Sequence, residues 1–127
     1  MARDAVHTDK APGAIGPYSQ AVKANGFVFT AGQIGVDPVT GELAEGIEAQ
    51  TRQALENIKQ VLEAAGTNMD NVVKTTVFLG NIDDFAAMNE VYVTFFSEPR
   101  PARSAFQAGH LPRGALVEIE TITKLPD

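Results

Sequence analysis

Apolar and polar positions along this chain follow two periods in turn, and the switches between them mark out its elements. After an irregular entry holding Pro12, Gly13, Gly16 and Pro17, two apolar runs, Tyr18 to Lys23 and Phe27 to Thr30, flank Asn25-Gly26. Both turn residues accept positive φ, so this pattern predicts a β-hairpin. Asp37-Pro38 and Thr40-Gly41 then signal a loop. From Ile47 the positions Ile47, Thr51, Ala54, Leu55, Ile58, Leu62 and Ala65 recur at helical steps, with Gly66 placed as a C-cap. That spacing predicts an amphipathic helix of about five turns. Val72 to Leu79 is rich in β-branched residues and predicts a strand ended by Gly80-Asn81. A second helix, from about Ile82 to Phe96, carries Phe85, Met88, Tyr92 and Phe95 on one side, has Asp83 and Asp84 near its positive end, and stops before Pro99. Arg103 to Gln107 and Leu116 to Leu125 complete the order β-β-α-β-α-β-β, an α+β chain read as a single domain over residues 1–127 without internal repeat.

Two helices of that length cover one face of a single mixed sheet of four to six strands and leave the other face needing either polar side chains or a partner. Phe27-Val28-Phe29 is apolar at consecutive positions, so both faces of that strand want burial, and Leu116 and Ile122 share a face with Glu118 and Glu120. An uncovered apolar face on so small a subunit predicts a homo-oligomer with the open faces packed together. So small a subunit has little volume to enclose a ligand, which places a deep pocket at a subunit boundary, with Glu118 and Glu120 at that edge.

Composition narrows the chemistry. The formal net charge is −6, which repels a phosphate backbone and argues against nucleic acid as a partner. The chain has no cysteine, which removes disulfides, thiolate metal sites and cysteine nucleophiles. Its first ten residues lack the apolar core of a signal peptide, and no run of about 18 apolar residues occurs, so the expectation is a cytoplasmic protein without a membrane partner. His7 and His110 stand alone, outside metal-ligand spacing, and neither Walker nor dinucleotide glycine loops are present. Chemistry concentrates in the last quarter. Arg103 offers a planar fork suited to a carboxylate, and a carboxylate on the strand 116–120 can move protons in the same cavity, with Glu118 and Glu120 both open as choices.

Pro101-Ala102-Arg103-Ser104-x-Phe106-x-x-Gly109-x-Leu111, followed after five residues by Val117-Glu118-Ile119, resembles the signature of the RidA (YjgF) family of enamine/imine deaminases. The likeness continues through Ile15-Gly16-Pro17-Tyr18-Ser19-Gln20-Ala21, Thr30-Ala31-Gly32-Gln33-Ile34, Val73 to Leu79, and Met88-Asn89-x-x-Tyr92-x-x-Phe95-Phe96, nearly the whole chain. This resemblance implies a chorismate-mutase-like fold, a homotrimer whose sheets face a central barrel, and a cleft at each subunit interface. It also implies cofactor-free hydrolysis of 2-imino acids, derived from 2-aminoacrylate, to 2-oxo acids and ammonia.

By the same resemblance Arg103 clamps the substrate carboxylate, and Glu118, rather than Glu120, orients water and protonates the leaving amine. Tyr18 walls the pocket, Gly32 allows close backbone approach, Asn89 lines it, and Ala105 stands where many relatives carry cysteine, so no thiol acts there and the Ala105 backbone is expected to line the site. Ser97-Glu98-Pro99-Arg100 is shorter than in the bacterial archetype, and Arg100 replaces the usual aromatic before the proline, adding a second cation near the cleft. A non-catalytic protein binding 2-oxo acids through the same arginine is the alternative reading.

Overall fold

A computed structural model of the chain describes residues 2–127, and among them seven strands form one mixed sheet with two α-helices. The strands are β1 (Asp4–Val6), β2 (Ala21–Ala24), β3 (Phe27–Thr30), β4 (Gln33–Ile34), β5 (Val72–Leu79), β6 (Ala102–Gln107) and β7 (Val117–Lys124). The helices are α1 (Ile47–Ala65) and α2 (Phe85–Tyr92). The sheet runs β1-β2-β3-β7-β5-β6, with β4 continuing β3 alongside β7. Only β5 and β6 pair in parallel, as their connection through α2 requires.

The predicted hairpin forms on Asn25 and Gly26, with φ of 53° and 84°. Gly66 ends α1 at φ 93°, its N–H and that of Thr67 returning to Glu63 and Leu62 carbonyls. Three expectations need correction. The strand read from Tyr18 begins only at Ala21, because Tyr18 N–H folds back to the Gly16 carbonyl in a tight turn. The entry and the loop after the hairpin each yield a strand, β1 and β4, too short for a period to register. The second helix is one continuous path in three pieces, with 3-10 turns at Ile82–Asp84 and Val93–Phe95 flanking α2.

Alternation along β5 and β7 sorts the two faces. Thr75, Val77 and Leu79 of β5 and Val117, Ile119, Thr121 and Thr123 of β7 are buried, most of them beneath Leu55, Ile58, Leu62, Met88 and Tyr92 of the helices. On the opposite face Phe29 and Phe106 remain 43% and 46% exposed and Ile122 is 38% exposed, while Phe106 meets Phe78 edge-on at 5.3 Å. One sheet face thus lies open and partly apolar in the single chain. No helix among the described residues is long and apolar enough to cross a membrane.

Polar ties fasten α1 to the short strand β4. Buried Asn57 donates to the Ile34 and Val36 carbonyls at 3.3 and 2.9 Å. Gln50 donates to the Ala44 carbonyl at 2.9 Å and accepts from Leu116 N–H at 2.8 Å. Gly35 makes this approach possible, since a Cβ there would lie 2.6 Å from both the Cα and the carbonyl oxygen of Gln50. Backbone on both sides leaves nothing flexible to yield. Gly35→Ala is therefore expected to cost about 1–3 kcal/mol in urea unfolding, whereas Gly109→Ala, with open space around it, stays within about 0.5 kcal/mol.

Candidate functional site

Two cavities hold most of the residues singled out from the sequence, and they lie on different sides of the sheet. The first, about 600 Å³, is lined by Tyr18, Gly32, Glu118 and Arg113 among others. The second, about 460 Å³, is lined by Asn89, Tyr92, Val93, Arg100, Pro101 and Arg103.

The first cavity is shaped by the entry segment. Gln20, buried just before β2, accepts from Thr8 N–H at 2.8 Å and donates to the Thr8 and Pro12 carbonyls at 3.1 and 2.8 Å. These bonds pin residues 8–12 against the sheet, so that Pro12, Gly13, Ile15 and Tyr18 form one wall. Tyr18 is 53% exposed at the rim, not a core aromatic. Glu118 projects from β7 on the open face, with Ile34 of β4 as its register partner. Gly32 lies directly against it: a Cβ there would fall 2.5 Å from a Glu118 carboxylate oxygen and 2.8 Å from the carboxyl carbon. Glycine at 32 thus frees the volume that the carboxylate occupies. Burial, and after it the charge of Glu120 on the same face, hold the Glu118 carboxyl above the usual carboxylate range.

The second cavity is built on the helix-covered face, at the edge strand β6. Arg103 donates from Nη1 to Asn89 Oδ1 at 2.6 Å. Its guanidinium lies over the Tyr92 ring at 4.8 Å and the Phe85 ring at 5.3 Å. Phe85, Asn89 and Tyr92 share one face of α2 by helical spacing. Among the described residues no carboxylate pairs with Arg103. Arg100 is paired with Glu98 at 2.7 Å on the surface. Ala105 follows Arg103 on the same face of β6 and packs against the core, lining neither cavity.

Arg103 and Glu118, expected to meet across or beside a subunit boundary, line separate cavities within one chain. Arg103 is the register partner of Thr75 and Glu118 that of Phe78, on opposite faces of β5. Two strands and three positions apart, at roughly 4.8 Å per strand and roughly 3.3 Å per residue, their Cα atoms are about 14 Å apart. Odd and even positions along the strands decide this. Sequence reasoning also missed Arg113, which lines the Glu118 cavity in a left-handed conformation at φ 58° and donates to the Gly41 carbonyl at 3.1 Å. It likewise read Phe85 and Tyr92 only as packing residues; their spacing from Asn89 was the available signal. No group of three or more metal-binding side chains occurs among the described residues.

A family model described as Endoribonuclease L-PSP matches residues 8–125. A RutC family protein of Pyrococcus horikoshii is 54% identical across 94% of this chain and 96% of its own length. The mouse protein named 2-iminobutanoate/2-iminopropanoate deaminase is 49% identical across 94% of this chain and 90% of its own. The crystal structure of RidA from an Antarctic Psychrobacter superposes with a TM-score of 0.93 at 52% identity, covering 96% of this chain and 99% of that one.

The raised Glu118 pKa makes a signed prediction. Such a carboxyl holds its proton more tightly folded than unfolded, so its ionisation weakens the fold as pH climbs past the unfolded value, and the penalty is complete above the folded one. Glu118→Gln should melt close to the parent at about pH 4, below the ordinary glutamate pKa, and above it at about pH 7. Thermal melts across that range check this, and a difference that shrinks with rising pH would contradict the assignment.

Proposed function

Because the chain belongs to the endoribonuclease L-PSP family, which includes the RidA proteins, we propose that it is a 2-iminobutanoate/2-iminopropanoate deaminase, hydrolysing reactive imines to 2-oxo acids and ammonia. The observation that carries this reading is the division of labour between the cavities. One presents an arginine fork with no carboxylate to neutralise it. The other presents a carboxyl whose pKa is raised toward the range of a proton carrier.

Neither half suffices alone, and a second copy supplies the other. The substrate carboxylate binds the Arg103 fork in two parallel hydrogen bonds, with Asn89 holding the guanidinium by one nitrogen. The edge position of β6 lets this half-site reach beyond its own subunit. The Glu118 cavity of the neighbour, walled by Tyr18 and relieved by Gly32, closes over the imine carbon. A ring of three copies, with the open sheet faces around a central barrel, buries Phe29, Phe106 and Ile122 and makes three equivalent sites.

The chemistry then needs only protons and water. Glu118 carboxylate takes a proton from water as the oxygen adds to the protonated imine carbon, giving a carbinolamine. The Glu118 acid returns that proton to nitrogen, the C–N bond breaks, and ammonia departs with the hydroxyl proton as ammonium. One water is consumed and the 2-oxo acid remains. The family description as an endoribonuclease does not redirect this reading: the net charge of −6 opposes a polyphosphate backbone, and the two cavities fit a small acid.

Ammonia release from freshly generated 2-iminopropanoate tests the activity. Arg103→Ala and Glu118→Gln are each expected to lower the rate by about 100-fold or more. Equal parts of the two variants, co-refolded so that subunits mix, should regain about a quarter of the parental rate, because in a ring that fraction of interfaces joins two intact halves. No recovery in verified mixed oligomers would overturn the shared site. Binding of a 2-oxo acid without turnover by the parent would leave a carboxylate-binding protein instead.

A further inference from the structure

Arg103 is held by a chain of contacts that extends beyond any residue able to touch the substrate. Tyr92 is 5% exposed, and its hydroxyl shares a 2.7 Å hydrogen bond with Thr75, which is fully buried on β5. Thr75 is in turn the register partner of Arg103 across the β5–β6 pair. The Tyr92 ring therefore has its hydroxyl tied to the strand beside the arginine while its face carries the guanidinium at 4.8 Å. Phe96 packs against the same ring at 4.6 Å. With Asn89 taking one nitrogen and Phe85 also under the guanidinium at 5.3 Å, a flexible side chain is confined by aromatic faces and one amide, with no anion.

We propose that Thr75 and Tyr92 are positioning residues for Arg103, fixing the aromatic cradle so that the guanidinium fork is set to receive a carboxylate before one arrives. This deepens the clamp reading above and rests on it for its catalytic consequence. The Tyr92 hydroxyl is not a proton donor to the imine: Thr75 occupies it within the core. Burial also raises the phenol pKa, outweighing the lowering effects of the Thr75 bond and the Arg103 charge. What the hydroxyl supplies is orientation. A ring released from Thr75 tilts, the cation loses its seat, and more side-chain freedom must be given up on binding.

The test uses the whole 127-residue chain and its Thr75→Val, Thr75→Ser and Tyr92→Phe variants. The ¹H–¹⁵N signal of Arg103 Nε reports its setting without any turnover. In the parent it should stand apart from free arginine through the ring currents of Tyr92 and Phe85, and in Thr75→Val and Tyr92→Phe it should move toward the free position. Thr75→Ser restores it. With pyruvate as a non-reacting probe, Kd should rise about three- to tenfold in either variant, the cost of ordering a loosened arginine side chain on binding. The double variant should add no more, because both substitutions break the same contact. KM for the imine should follow Kd, with kcat held within about twofold.

A lowered Tm with the Arg103 signal and pyruvate Kd unchanged would reduce the Thr75–Tyr92 bond to a stability contact and overturn the proposal. So would additive losses in the double variant. An Arg103 signal that shifts as expected, in a parent protein that neither binds pyruvate nor hydrolyses the imine, would support the cradle while overturning the deaminase reading.

Discussion

Side chains on a pleated strand point alternately to its two faces, and the arrangement of chemistry in this molecule follows from that alternation as it runs through β5, β6 and β7. Residues paired across these strands share a face. Thr75 and Arg103 therefore turn toward the helices, where α2 supplies Phe85, Asn89 and Tyr92, while Phe78 and Glu118 turn the other way. A shift of one residue in either pairing would put the arginine on the open face or the glutamate in the core. Burial of Val77 and Leu79 against Ile119 and Val117 fixes the β5–β7 register, since a one-residue slip would turn one strand's pair to the open face. The hydrophobic effect thus places the charged groups without acting on them directly.

The helices contribute unequally. α1 carries much of the core through Leu55, Ile58, Val61 and Leu62, and through Asn57 and Gln50 it also holds the short strand β4 against β7. That hold matters to the site because β4 follows Gly32 directly, and Gly32 is the residue that leaves room for the Glu118 carboxylate. Two glycines three positions apart thus serve different needs: Gly35 admits backbone, and Gly32 admits a functional side chain. α2 is shorter and presents two faces, one buried through Met88 and Val91 and one set under Arg103.

Both charged groups are incompletely satisfied in a single copy. Glu118 is partly buried beside another carboxylate, and Arg103 rests on aromatic rings and an amide with no counter-ion among the described residues. Such arrangements weaken an isolated subunit and become useful when a ligand or a neighbour completes them. In the proposed mechanism the proton that Glu118 takes from water resolves the first and the carboxylate of the imino acid the second. The exposed Phe29, Phe106 and Ile122 on the Glu118 side are the apolar surface that the proposed neighbour would cover.

Much of this was legible in the chain itself, because the signals are local. Helical spacing from Ile47 to Ala65, the β-branched run from Val72 to Leu79, and the Asn25-Gly26 turn each depend on residues a few positions apart, and each appears where the pattern puts it. The signature around Arg103 and Glu118 identified the family for the same reason. The strands β1 and β4 escaped, being too short to show a period and held by pairings with Ala21–Lys23, Glu118 and Ile119. The face on which each charged residue lies, the aromatic seat beneath Arg103, the clearance that Gly32 gives Glu118 and the entry of Arg113 into that cavity were decided only in three dimensions. They depend on the register between strands distant in sequence and on which helix face meets which strand, and no local period encodes either.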